Sequence, residues 1–491
     1  MALIFGGMVF SSPIFLFLFL PVVLTGYFFV PGVRLKNLWL LGFSLLFYAW
    51  GEPVFIFLAL LSTLMNYGLG RWVDHTAEPA RRKFAVGLAV ALNLGLLTFF
   101  KYAGFAADNL NALLARVHCQ PVVMPRILLP IGISFFTFHA LSYVMDVYRR
   151  KQPAAKNPAD VALYIFFFPQ LIAGPILRWS AIAPQLEQRT VTCEAFAEGI
   201  RRFIGGLAKK MIIANVVAAP ADQIFALPAG ELTPVLAWFG ALCYALQIYF
   251  DFSGYSDMAV GLGKMFGFVF LENFNFPYVA QSVQDFWRRW HISLSTWFRD
   301  YLYIPLGGSR CAEPRNYFNL VAVFFLCGLW HGASWTFVLW GLYHGIFLVL
   351  ERTRCGAFLG RLPRPLRHLY ALLAVLVGWV LFRAESLPQA VAFLATMAGL
   401  GHPAAEAQPL ARYLGNQVAW AISLGIIFST PVWDILQQQL AKASAGWPHP
   451  VRLGGLAFGL VLETVLLVAL LILSAAWLAG GTYNPFIYYR F

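Results

Sequence analysis

Long apolar runs separated by short charged loops fill the chain from end to end. They lie near residues 10–29, 38–50, 55–69, 84–100, 127–147, 161–177, 203–219, 236–262, 318–330, 335–350, 369–382, 418–432 and 456–478. In lipid, a chain spans only where every backbone polar group is satisfied internally, and uninterrupted runs of this length do that as helices. The pattern therefore predicts an all-α polytopic membrane protein with about eleven to thirteen passes, at roughly 20 residues per crossing. The stretch 390–400 is too short to assign. The first run lacks a basic flank and a small-residue cleavage site, so it reads as an uncleaved membrane segment. No internal repeat is visible, which disfavours an inverted-repeat transporter.

One run is interrupted. Phe166-Phe167-Phe168-Pro169-Gln170-Leu171-Ile172-Ala173-Gly174-Pro175 holds two prolines and a glycine. It is expected to enter and turn back, which irregular backbone can do only inside protein or beside a wet cavity. Loop charge asks for the same thing. Arg34 and Lys36, then Arg71, Arg81, Arg82 and Lys83, then Arg149, Arg150, Lys151 and Lys156 occupy alternate loops, which places them in the cytoplasm. Arg201, Arg202, Lys209, Lys210, Lys264, Arg288, Arg289 and Arg299 join that side only if 161–177 does not cross. The stretch 264–315 mixes aromatics with charge, too polar to span freely and too aromatic for a solvated loop. It reads as an interfacial amphipathic layer, as a re-entrant layer lining a cavity, or as both.

Composition closes off other classes. Hydrophobic residues make up 60% and charged residues 12%, against about 25% charged in soluble chains. A soluble enzyme and a disordered protein are excluded. The net charge of +13 is assigned to cytoplasmic loops facing anionic lipid rather than to nucleic acid. Six cysteines are scattered without a C-x-x-C, so neither a disulfide framework nor a metal site is indicated.

Ionisable groups at membrane depth are costly and point to function. Asp251 and Asp257 lie in Tyr249-Phe250-Asp251-Phe252-Ser253-Gly254-Tyr255-Ser256-Asp257, where they either pair structurally or serve a site. Glu463 is expected to pair with a neighbouring helix. His331, in Leu329-Trp330-His331-Gly332-Ala333-Ser334-Trp335, ends one apolar run just before the next. An imidazole there can accept and return a proton, and the small residues after it leave room for a substrate. Without context, a packed histidine is the blander alternative. His291 sits 40 residues earlier in the mixed stretch; His139 and His344 read as packed side chains.

Six stretches then occur in a telling order: Leu129-Pro130-Ile131-Gly132-Ile133-Ser134-Phe135-Phe136, 168–175, 249–257, 287–300, Ile304-Pro305-Leu306-Gly307-Gly308 and Trp330-His331-Gly332. Over nearly its whole length the chain resembles the membrane-bound O-acyltransferases, most of all the bacterial branch serving alginate and cellulose acetylation. The resemblance implies one domain over 1–491. It would be a ring of tilted helices with re-entrant segments around a central channel joining cytoplasmic and external funnels. His331 matches the family's catalytic histidine and His291 its second histidine, where the eukaryotic branch often has Asn or Asp.

The resemblance further implies an O-acetyltransferase of the bacterial inner membrane. Acetyl groups would pass from cytoplasmic acetyl-CoA, as substrate rather than bound cofactor, towards a periplasmic exopolysaccharide. His331 would be general base or acyl relay, and His291 would orient the acceptor or stabilise charge. Lys264, Arg288, Arg289 and Arg299 are candidates for CoA phosphates, with lipid headgroups as the alternative. Expected partners are a periplasmic serine-hydrolase-type acetyltransferase, the polysaccharide synthesis and export machinery, and membrane lipid. The tail 484–491 resembles the Phe-x-Tyr-x-x-Phe ending of the small partner protein in teichoic-acid D-alanylation, through Phe486, Tyr488 and Phe491. That makes Tyr488 a candidate acyl relay, against an interfacial anchor. A polysaccharide or lipid transporter, and an acyltransferase for another acceptor such as peptidoglycan, are the rival readings.

Overall fold

The computed structural model describes residues 8–401, 408–444, 446, 449–480 and 483. Among these residues every regular element is a helix. Six helices are long and apolar enough to cross a membrane singly: Phe55–His75, Pro79–Arg116, Cys193–Phe225, Pro234–Met265, Arg364–Arg383 and Gly454–Ala479. Asn416–Phe428 and Val432–Ser444 make a seventh if taken as one span bent by 59°. Pro431 stands in the break between them, where its missing N–H cannot continue a helical ladder. Other apolar runs form shorter helices, among them Phe15–Phe29 and Trp335–Leu350. Residues 390–397 of the unassigned stretch lie in helix Leu387–Met397, whose first turn is capped by Ser386. The chain is a multi-pass, all-α membrane protein.

The 161–177 run does not cross. Helix Pro158–Phe166 stops at Phe167, whose backbone leaves helical geometry. Phe168–Leu171 adds one turn, and no helix resumes until Trp179. Both ends of the segment are tied to one end of the bundle. Trp179 Nε1 donates to Pro153 O at 3.1 Å, Ser180 N to Asp146 Oδ2 at 3.0 Å, and Arg178 pairs with Asp300 at 2.8 Å. The turning residues are buried throughout, as irregular backbone at this depth requires.

The basic loops collect at that same end. Arg82 donates to Tyr148 O at 2.9 Å, Arg149 to Asp300 O at 2.9 Å, and Arg189 to Asn37 Oδ1 at 2.6 Å. Arg202 bridges Asp257 and Glu272. Turning back at 166–178 therefore brings the start of Cys193–Ala208 to the basic end, which removes the conflict in loop charge. A cysteine beside Arg150 and one beside Gly230 should accordingly label from opposite faces with a membrane-impermeant thiol reagent. With the basic end cytoplasmic, only the second reacts in intact cells; the reverse pattern would invert the orientation.

Helices Cys193–Ala208 and Pro234–Met265 touch almost backbone to backbone. A Cβ on Gly206 would lie 2.5 Å from Gly254 O, and one on Gly254 would lie 2.7 Å from Gly206 O. Small residues permit such crossings in membranes. The closeness lets a π-helical turn, Lys209–Ala214, deliver its lysines across the seam. Lys210 meets Asp251, both buried. Lys209 and Arg202 meet Asp257 at 2.6 and 2.8 Å. Glu463 pairs with Arg201 on a neighbouring helix at 3.0 Å.

Candidate active site

His331 is the last residue of helix Glu313–His331, because Gly332 turns to extended backbone. The helix is held tightly against Trp335–Leu350. A Cβ on Gly328 would lie 2.3 Å from Phe337 O, and one on Gly341 2.3 Å from Phe324 O. Ser334 caps the second helix through the Thr336 N–H. The chain thus reverses in three residues, with His331 at the apex. Its imidazole is wedged edge-on between Trp340 and Phe382, with ring centroids 5.0 and 5.1 Å away.

A helix ends with carbonyls that have no internal partner. Here a third helix, Pro79–Arg116, supplies the donors. Tyr102 OH donates to Leu329 O. Lys101 Nζ donates to Trp330 O and, at 3.1 Å, to His331 O. An ammonium at a helix C-terminus also suits the negative end of the helix dipole. Trp335 is held on the other side of the turn by Asn109 Oδ1 at 2.8 Å. Position 331 is therefore set by three helices together.

His291 lies between two short helices, Val283–Arg289 and Ile292–Phe298, at φ +44°. It is fully buried. Nδ1 lies 3.1 Å from Asn273 Oδ1, and Phe252 packs edge-on to the ring at 4.6 Å. Trp330 neighbours both histidines, with centroid distances of 6.1 Å to His291 and 4.9 Å to His331.

A cavity of about 150 Å³ opens beside His331, lined by Lys101, residues 129–135, Ile172, Trp330 and His331. Engineered cavities of about this size hold a benzene-sized molecule. A short acyl group fits, and anything longer must extend out of it. Three sequence motifs thus converge: the 129–136 stretch, the turned-back 168–175 segment and the Trp330-His331-Gly332 turn. The 287–300 stretch stands behind Trp330 and carries His291. The chemistry available at this point is an imidazole and a lysine amine around a small chamber.

The model of the membrane-bound O-acyltransferase family matches residues 131–387. Over 99% of this chain and 100% of its own length, the "probable alginate O-acetylase" of Azotobacter vinelandii is 43% identical. The chain belongs to the membrane-bound O-acyltransferases. Other relatives of this acyltransferase are the peptidoglycan O-acetyltransferase of Helicobacter pylori, 39% identical over 80% of each chain, and the teichoic acid D-alanyltransferase of Bacillus subtilis. The latter is 33% identical over 47% of this chain and 61% of its own.

The remaining candidates of this acyltransferase lie apart from the chamber. Asp251 and Asp257 engage the lysine and arginine partners described above. Lys264 pairs with Glu198, Arg289 with Asp285 at 2.9 Å, and Arg299 with Asp300 at 2.7 Å. Arg288 is exposed. All four basic residues belong to the layer at the basic end of the bundle. His139 and His344 are buried among rings. Tyr488 lies outside the described residues.

Lys101 escaped the sequence reading. Its signal was an ionisable residue directly after the apolar run 84–100, which resembles an ordinary helix-end charge. Lys101→Met is expected to cut acyl transfer at least tenfold, since misplacing a reacting group by about 1 Å can cost about a hundredfold. Lys101→Arg, which keeps two donors for the carbonyls, should recover part of it. Initial rates at matched protein amounts, with detergent-extracted yield as the control, check this.

Proposed function

We propose that this protein transfers acetyl groups from cytoplasmic acetyl-CoA across the inner membrane for O-acetylation of a periplasmic exopolysaccharide. The single observation carrying the reading is the acyl-sized chamber walled by His331 and Lys101 at the junction of the turned-back segment and three helices. The curated relatives support a polysaccharide acceptor, alginate first among them. The thioester arrives activated, so the site need only position the acceptor, take its proton and keep water out. His331 accepts the hydroxyl proton as the oxygen bonds to the acetyl carbonyl carbon. The carbon–sulfur bond then breaks, and His331 returns the proton to the departing thiolate, leaving CoA as thiol. His291 orients the acceptor hydroxyl. The basic layer of Lys264, Arg288, Arg289 and Arg299 draws the CoA phosphates towards the cytoplasmic face.

The immediate acceptor on this reading is a hydroxyl that enters from the external side. Tyr488 is one such hydroxyl, since a phenol ester is a better donor than an alkyl ester. A periplasmic serine-hydrolase-type acetyltransferase then hands the group to the polymer made and exported beside it. The experiment uses purified full-length protein in lipid with radiolabelled acetyl-CoA. His331-dependent thioester cleavage is the expected result. Separately labelled polymer or lipid crossing the bilayer while acetyl-CoA stays intact would favour a transporter and overturn the proposal.

A further inference from the structure

Resting on the acyl-transfer reading above, we propose that Asn273 is a positioning residue. It locks His291 in the tautomer protonated on Nδ1, so that Nε2 accepts the hydrogen bond of the acyl-accepting hydroxyl.

The donors and acceptors around Asn273 fix where the ring proton of His291 sits. Ser293 N lies 3.2 Å from one terminal atom of the Asn273 amide. A backbone N–H can only donate, so that atom is the oxygen and the amide cannot be flipped. Ser293 Oγ adds to this. It accepts the N–H of Ile176 at 3.0 Å, and its own proton goes to Asn273 Oδ1 at 2.9 Å rather than to His291 Nδ1, which is 3.5 Å away. His291 Nδ1 lies 3.1 Å from the same oxygen. An amide oxygen has no proton to offer, so Nδ1 must donate. A neutral imidazole has one ring proton; with it on Nδ1, Nε2 carries the lone pair. Nε2 is buried and has no hydrogen-bond partner among the described residues.

The surroundings make this arrangement stiff. Ile292 N donates to Asn273 O at 2.9 Å, so the two strands of the loop are laced together through backbone as well. Phe252 stands edge-on to the imidazole. The backbone of His291 is left-handed, a conformation that persists when its surroundings over-determine it and that recurs at functional sites. Through Ile176 the lacing reaches the turned-back segment, whose Ile172 lines the chamber. A lone pair buried without a donor is unfavourable until something brings one. A substrate hydroxyl does so, and it becomes oriented in the act.

Three variants in the full-length protein test this, read as acetyl transfer per mole of protein against pH. Asn273→Leu keeps the shape and removes the oxygen; transfer should fall at least about tenfold, with extraction yield and elution volume unchanged. Asn273→Asp keeps an acceptor at Nδ1. It should remain active, and because a carboxylate favours imidazolium, the acid limb of its profile should move to higher pH by about one unit. Ser293→Ala, with one donor fewer on the oxygen, should lie between Asn273→Leu and wild type. Asn273→Leu transferring within twofold of wild type, or Asn273→Asp with an unmoved acid limb, overturns the proposal. If the leucine variant does not insert, the aspartate limb alone decides. His331→Ala run alongside separates the two readings. Activity surviving there defeats acyl transfer at this site, whereas a dead His331→Ala beside an unaffected Asn273→Leu defeats only the tautomer assignment.

Discussion

Alanine in place of His331 is expected to abolish acetyl transfer and leave the protein inserted and folded. A positioned proton acceptor contributes about 10²–10⁴-fold in rate, which takes transfer below the background of most membrane assays. The structural loss is small. The residue lines the chamber and its ring meets Trp340 and Phe382, and the turn is held through main-chain carbonyls that alanine retains. The change in stability should stay near the common value of about 1 kcal/mol. Label incorporation into polymer gives the first number and the thermal inactivation midpoint in detergent the second. Normal incorporation by the alanine variant would make the turn structural and remove its catalytic role.

Asp251→Ala should behave in the opposite way, losing the protein before the chemistry. Asp251 and Lys210 are both buried and bonded to each other across the glycine seam. Removing the carboxylate deprives a buried ammonium of that partner, at a typical cost of about 3–5 kcal/mol. Replacing both with apolar residues, Asp251→Leu with Lys210→Met, should restore most of the loss, because the desolvation cost of both charges goes with them. Asp257→Asn should be milder, since its partners Lys209 and Arg202 are about one-third exposed and can turn to water. Unfolding midpoints of the four proteins decide. A double variant no better than Asp251→Ala would show that the pair does more than balance charge.

Much of this was legible beforehand, for identifiable reasons. Apolar runs announce helices because lipid permits little else, and Pro169, Gly174 and Pro175 announced a segment that turns back. His331 stood out because an ionisable ring breaks an apolar pattern just where two helices meet. What stayed hidden depends on contacts distant in sequence. Asp251 and Asp257 find lysines 41 and 48 residues away, so the sequence left open whether they pair or serve a site. Lys101 reaches across 230 residues to His331 O, and nothing around it records that reach. Asn273 is a neutral amide in a loop and carries no pattern. The helix count was also blurred: apolar runs such as 10–29 and 418–432 promised whole spans, yet the first is partly irregular and the second bends at Pro431.

The left-handed backbone at position 291 has a consequence for how this site can change over time. Such a conformation admits glycine freely and asparagine, aspartate and histidine with modest strain, and it penalises β-branched residues. Substitution at this place is therefore channelled through a few side chains before catalysis selects among them. Asparagine is within that set. An exchange between the two residues needs no rebuilding of the loop, so an imidazole and an amide can replace one another here over the same main-chain path.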